Sequence, residues 1–317
     1  MLRNSQELWQ TGDMRTTQIL SSDRTSKAIT GLTVNELKCL EYDFAKNLQT
    51  YYVTRRPNRQ RKLGGGPRGV IPSQMDKLIA ILLYLKAYPT YDVMGVLYGV
   101  DRSRCCRWVQ EFLPVLEKTL GYKAVLPKRQ IHSIEEFIQL FPDVKDVFID
   151  GTERPTQKPK DPSRRKKMYS GKKKATTRKT IVVSDKDKRI LSLSVAKNGR
   201  RHDKKLADQA NIARSLPKDV TAWVDTGFQG MDKDHPNLQI PKKRSKHHPF
   251  TEEDKQNNKT ISGIRIIAEH AICGMKRMRS TSDIYRNKIP NLDDTFNLVS
   301  AGLWNYHLMM RLATTGR

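Results

Sequence analysis

The alternation of apolar and polar positions divides the chain into a helical first part and a mixed second part. Within "TVNELKCLEYDFAKNLQTYY", Leu37, Leu40, Phe44 and Leu48 recur at helical spacing behind Thr33, and Glu36 stands where a capping box needs it. "SQMDKLIAILLYLKAY", "TYDVMGVLYGV" and "DRSRCCRWVQEFLPVLEKTL" predict three further helices, with Gly99 as a terminator and Asp101 as the next N-cap. The last two, joined by a tight turn, predict a helix-turn-helix over about 74–113 with Val93, Leu97, Val100, Cys106 and Val109 facing inward. Arg102, Ser103, Arg104 and Arg107 then face outward, where side chains enter a DNA major groove. Residues 1–30 carry no sustained period and predict a polar tail, and "RRPNRQRKLGGGPRG" (55–69) breaks periodicity with Pro, Gly and six Arg or Lys, predicting a basic linker.

Beyond a helix capped by Ser133 and Glu136, the period changes. "DVKDVFIDGT", "KTIVVSD" and "RILSLSVAK" are rich in β-branched residues and predict three strands, the last two joined as a hairpin by "DKDK". "HDKKLADQANIARSL" predicts a helix, "VTAWVDTG" and "NLQIP" two more strands, and "GIRIIAEHAICGMKRM" and "LDDTFNLVSAGLWNYHLMMRL" two amphipathic helices. The expected organisation is a tail (1–30), a helical DNA-binding domain (31–125) and an α/β domain with a mixed sheet (126–317). Trp108, Trp223 and Trp304 fall within apolar patterns and are expected to pack in cores.

Charge narrows the function. The 317 residues hold 59 Lys plus Arg against 33 Asp plus Glu, a formal net charge of +26, which points to a polyanion such as nucleic acid. The longest apolar run, "LIAILLYL", is too short to span a bilayer, and the N-terminal stretch lacks a signal-peptide core, so no membrane association or secretion is expected. Cys39, Cys105, Cys106 and Cys273 form no CxxC pair or zinc pattern and are expected to be reduced packing residues.

Two predicted strands end alike, in an apolar run and then an acid: "VFIDGT" at Asp150 and "AWVDTGFQG" at Asp225. Ligands of open α/β sheets gather beyond the carboxyl ends of strands. Each acid alone is better read as the start of a turn that satisfies its own backbone, and the occurrence of two matching cases weakens that reading. A third acid, Glu269, shares a helix edge with Arg265 and Lys276, the three falling within about 40° of one another, although Arg265 and Glu269 also have the spacing of a surface ion pair. Three converging carboxylates repel unless cations neutralise them, and hard divalent ions with oxygen ligands suit phosphodiester chemistry. From Arg154 to Lys179 there are twelve Lys or Arg and one acid, Asp161, a density expected to stay outside and line a DNA path. Lys242, Lys243 and Arg244 are further candidate phosphate contacts. His202 and Asp203 follow the third strand, and capping of the next helix by Asp203 accounts for the pair without a catalytic role.

The chain resembles the DDE transposases of bacterial insertion sequences, related to Harbinger-type elements, over about residues 70–310. "FIDGTERP" is similar to the first-Asp motif, "VDTGFQG" to the second, "RIIAEHAICGMK" to the Arg, Glu, Lys pattern, and "YSGKKKATTRKT" to the basic segment before the second strand. Ser262 stands where related sequences often carry Tyr. The resemblance implies a ribonuclease-H-like catalytic domain and a catalytic, metal-holding triad of Asp150, Asp225 and Glu269 with two Mg²⁺, for which Mn²⁺ substitutes. It further implies cleavage at terminal inverted repeats, joining of the 3′-OH ends to target DNA, a homodimer or higher oligomer on double-stranded DNA, and a cytoplasmic, nucleoid-associated place in a bacterium. Arg102, Ser103, Arg104, Arg107, Arg164, Arg165, Lys166, Lys172, Lys173, Lys174, Lys242, Lys243, Arg265 and Lys276 are the expected DNA contacts. A non-catalytic, domesticated DNA-binding regulator is the alternative.

Overall fold

Local signals set the first helices. In the computed structural model, which describes residues 12–58, 60, 69–244 and 249–315, Thr33 and Glu36 close the expected capping box at the start of a 22-residue helix. Its stripe of Leu37, Leu40, Phe44 and Leu48 is fully buried, each side chain contributing roughly 1.5–3 kcal/mol. The chain divides into two units. The first comprises Met1–Leu126, Arg277–Ser280 and Tyr306–Arg317, and the second Pro127–Lys276 and Thr281–Asn305. The expected 126–317 domain therefore gives up two pieces to the helical unit.

The first unit contains α1 (Gly12–Ile19), α2 (Asp23–Thr30), α3 (Val34–Arg55), α4 (Gln74–Ala87), α5 (Tyr91–Tyr98) and α6 (Arg102–Tyr122). The predicted tail is thus helical from residue 12. The period is invisible because α2 turns Ser26 and Thr30 inward, both fully buried, and Thr30 Oγ1 donates to the Ser26 carbonyl at 2.7 Å. Ser22 caps α2 and Gly31, at φ 81°, ends it. The basic linker falls largely outside the described residues.

The helix-turn-helix forms at the expected punctuation: Gly99 takes a left-handed conformation and Asp101 accepts from the Ser103 N–H at 2.8 Å. Its inner face differs from the expectation. Met94, Gly95 and Tyr98 are buried, whereas Val93 and Leu97 are 51% and 46% exposed. An eight-residue helix apolar on most sides carries no phase of its own. Gly95 supplies it, because a methyl there would stand 2.6 Å from the Val100 carbonyl oxygen, so only glycine lets the turn close on this face. On α6, Cys105 and Val109 are buried and Cys106 only partly so, while Arg102, Ser103, Arg104 and Arg107 are exposed, as expected. Trp108 lies edge-on to Tyr98.

The second unit contains α7 (Ile134–Leu140), β1 (Asp146–Pro155), α8 (Pro162–Met168), β2 (Tyr169–Ser170), β3 (Ala175–Asp185), β4 (Ile190–Leu193), β5 (Lys197–Asn198), α9 (Asp203–Gln209), β6 (Thr221–Trp223), β7 (Leu238–Gln239), α10 (Glu252–Lys276) and α11 (Leu292–Thr315, to Asn305 in this unit). β1 lies centrally, antiparallel to β3 and parallel to β6. β3 pairs in turn with β4 and β5, and β6 with β7 in parallel. One face buries Val147, Ile149, Ile181 and Val183 with Phe137 of α7 and Leu206 of α9. The other buries Val182, Ile190 and Leu193 with Ala271, Ile272 and Met275 of α10 and Ala301 of α11. α10 and α11 approach closely: any Cβ at Gly274 would overlap the Trp304 ring, whose Nε1 donates to the Lys188 carbonyl at 2.8 Å.

Candidate active site

Strand β1 does not stop at its acid as expected. It continues to Pro155 along β3, ending at the Pro155–Thr177 pair, whereas its parallel pairing with β6 ends at Phe148–Trp223. The sheet therefore splits on the β6 side just before Asp150, because β6 turns away into a 3₁₀ turn at Thr226–Phe228. The pairing Asp146–Thr221, Val147–Ala222, Phe148–Trp223, carried two residues onward, sets Asp150 level with Asp225. The two carboxylates lie near enough where the strands part for the Asp225 charge to act on Asp150.

Each aspartate also accepts from a nearby backbone N–H with one oxygen, Asp150 within β1 and Asp225 at its own turn. The Gly151 N–H donates to Asp150 Oδ1 at 2.8 Å and the Gly227 N–H to Asp225 Oδ1 at 2.6 Å. The turn reading therefore holds for Asp225, which caps the 3₁₀ turn, and not for Asp150, which lies within β1. Burial pushes the Asp150 carboxyl above its usual range, and the Asp225 charge adds to the rise. The Gly151 N–H, Arg265 and Lys172 oppose it without cancelling it. Arg265 is the nearest cation, its Nη2 3.9 Å from Asp150 Oδ1.

Arg265 comes from α10, which packs on β1, β3 and β6. Glu269, one turn further along the same face, is exposed and bonds to neither aspartate. The structure thus brings together two of the three expected acids. Among the described residues no group of three or more His, Cys, Asp or Glu side chains lies close enough to hold a metal ion. The donors at the split are nevertheless hard carboxylate oxygens, and Arg265 and Lys172 together do not bring Asp150 back to its usual range, chemistry that fits a divalent cation.

The basic residues sort by partner. Arg164, Lys166, Lys172, Lys173 and Lys174 are exposed. Arg165 instead donates to the carbonyls of Pro159 and Lys160, both at 3.1 Å, and so holds its own loop. Asp161, the one acid of the run, caps α8. The run was expected to stay outside, yet its ends pack inside. Arg154 is buried and donates to the Asp283 carbonyl at 3.0 Å, and Lys179 is also buried. Each is tolerated because it gains acceptors that replace water. Lys242 pairs with Asp254 at 2.8 Å, Lys243 is exposed, and Lys276 donates to the Glu153 carbonyl at 3.4 Å. Burial, reinforced by the charge on Lys173, holds the Lys276 pKa below that of an ordinary lysine.

Sequence reasoning missed a second acidic cluster three residues along β1. Glu153, with a side chain 5% exposed, lies 3.3 Å from Lys179 Nζ and accepts from Thr177 Oγ1 at 2.6 Å. Asp203 meets the same ammonium at 2.9 Å and does not cap α9, where His202 holds the N-cap position. The available signal was period two: Glu153 and Lys179 face each other across the β1–β3 pair.

Comparison with known proteins agrees with this anatomy. A family model described as DDE superfamily endonuclease matches residues 149–305, and one described as the helix-turn-helix of DDE superfamily endonuclease matches residues 73–121. The chain is 30% identical over 254 residues, 80% of its length and 86% of the relative's, to a protein of Microchaete diplosiphon named probable transposase for insertion sequence element IS702. No solved structure matches the chain.

Proposed function

Because the chain belongs to the DDE transposases of insertion sequences, we propose that it binds the terminal inverted repeats of its element, cuts the DNA there and joins the freed 3′-OH ends to target DNA. The observation that supports the reading is that Asp150 follows the end of the β1–β6 pairing by two residues on β1, Asp225 follows it by two residues beyond β6, and the charge of Asp225 acts on Asp150. The strand order, three antiparallel strands and then two parallel ones, supports a ribonuclease-H-like assignment for the catalytic domain.

Asp150, Asp225 and Glu269 would hold the divalent metal, Mg²⁺ or Mn²⁺, on which DDE endonucleases generally depend. When bound, it activates the attacking oxygen and stabilises the leaving one. Glu269 completes the set by moving from its solvent-facing position on α10 when DNA and metal are present. Arg265 balances part of the Asp150 charge, while exposed Lys172, Lys173, Lys174, Arg164 and Lys166 bind phosphates along the approach. Arg102, Ser103, Arg104 and Arg107 read the repeat from the outer face of α6. Joining two ends calls for at least a dimer on the DNA.

The test is incubation with Mg²⁺ and terminal-repeat DNA, followed by sequencing of the broken ends. The wild-type chain should cut at the element boundary, and Asp150→Ala, Asp225→Ala and Glu269→Gln should each abolish cutting while still shifting the repeat in a binding assay. Full cutting by any one variant removes that residue from the site. Binding without cutting by the wild-type chain means a regulator.

A further inference from the structure

Asp203 stands beside the proposed metal-holding pair without a role in it. It is the first residue of α9, and its side chain is only 17% exposed. Its Oδ1 lies 2.9 Å from the Lys179 ammonium, whose other two protons find Glu153 Oε1 at 3.3 Å and the Arg201 carbonyl at 3.1 Å. Burial alone would lower the Lys179 pKa, but the bond to Asp203 and the charges of Asp203 and Glu153 hold it above the ordinary lysine value. The cation therefore persists, and the Asp203 carboxylate has a permanent counter-ion supplied by β3.

The other side of that carboxylate is pressed against two glycines. A methyl at Gly151, the residue after Asp150, would stand 2.9 Å from Asp203 Oδ1. A methyl at Gly227, whose N–H holds Asp225, would stand 2.9 Å from Asp203 Oδ2. That same point is 2.8 Å from Asp225 Oδ1, so the oxygens of Asp203 and Asp225 flank it from two sides. One oxygen faces β1 at the residue after Asp150 and the other faces the turn after Asp225, and only glycine leaves room at either place.

We propose that Asp203 is a positioning residue of the active site: clamped by Lys179, its carboxylate wedges between Gly151 and Gly227 and sets the separation and orientation of Asp150 and Asp225 for a divalent cation. This inference rests on the reading of those two aspartates as the metal-holding pair. Asp203 acts through its neighbours: Lys179 lies against Oδ1, and Gly151 and Gly227 crowd its two oxygens.

The experiment uses the full chain and three readouts: calorimetric titration with Mn²⁺, cutting of terminal-repeat DNA, and thermal melting. Asp203→Asn should weaken Mn²⁺ binding by about 10- to 100-fold, as loss of a supporting contact typically does. Its melting temperature should stay close to wild type, because the amide oxygen still accepts from Lys179 and Glu153 keeps its charge. Gly151→Ala, which leaves Asp203 intact but displaces it, should weaken binding in the same direction. Asp203→Asn with wild-type Mn²⁺ affinity overturns the proposal, as does lowered melting with affinity intact, and if that variant does not fold, Gly151→Ala decides by the same two readings. Asp225→Asn is the control: should it bind Mn²⁺ and cut like wild type, the metal-pair reading falls and the role of Asp203 with it.

Discussion

Two acidic groups sit three residues apart on β1, and the protein treats them in opposite ways. Glu153 and Asp203 share one buried ammonium whose three donors are all occupied. Among the described residues, Asp150 has the Arg265 guanidinium at 3.9 Å, the charge of Lys172 and the Gly151 amide, and Asp225 accepts from the Gly227 amide. The pKa directions record the contrast. Glu153 is buried, which raises it, yet its bonds to Thr177 and Ser170 and the Lys179 charge bring it below its usual value. Asp150 ends above its own. Where the chain supplies its own cation, a buried acid is part of the scaffold. Where burial outweighs the cations beside it, as at Asp150 at the split in the sheet, the acid stays above its usual range, which suits the proposed binding of a cation from solution.

The largest effect on this contrast should come from removing the internal cation. Lys179→Met leaves Glu153 and Asp203 buried without a counter-ion and should cost about 3–5 kcal/mol in a denaturant titration at neutral pH. The Glu153 carboxyl is depressed in the folded protein, so its stabilising contribution is present above its unfolded pKa and fades as pH falls through the folded one. The deficit of the variant should accordingly shrink in acid, where the orphaned carboxylates take up protons, and a deficit constant across pH would break the comparison.

A second, smaller effect concerns cations held for a partner. Arg104 and Arg107 are exposed and, among the described residues, have no carboxylate partner. Arg104→Ala or Arg107→Ala should weaken repeat binding by about 1–3 kcal/mol while leaving denaturation unchanged. A loss equal on all DNA sequences would make them phosphate contacts and not base readers.

The smallest is a change at the open site itself. Arg265→Gln removes the charge that lowers the Asp150 pKa, so the acid limb of a cutting-versus-pH profile should move to higher pH with little change in stability. Movement to lower pH would mean that Arg265 does not face Asp150 in solution.

Much of this anatomy is readable from residue order because it depends on local rules. The Thr33 and Glu36 box, the Gly99 terminator and the Asp101 cap act within a few residues, and the β-branched run before Asp150 is a strand for reasons of side-chain shape. What was not readable depends on partners far along the chain. The inward serine and threonine of α2 imitate a solvated tail. The phase of α5 is set by a carbonyl pressed onto Gly95. Asp203, read as a helix cap, finds its ammonium on a strand 24 positions earlier, and no spacing rule announces that pairing.

The division of the chain also bears on how the molecule is made. Tyr306, fully buried, donates its hydroxyl to the Glu36 carbonyl at 2.9 Å, and His307 Nδ1 meets Glu36 Oε1 at 2.5 Å, partners some 270 positions apart. A ribosome releases the N-terminal helices long before residue 306. The helical unit must therefore wait, its core unsealed, through synthesis of the entire α/β unit, and a chain stopped short of its last dozen residues would carry an intact α/β unit together with an unfinished helical one.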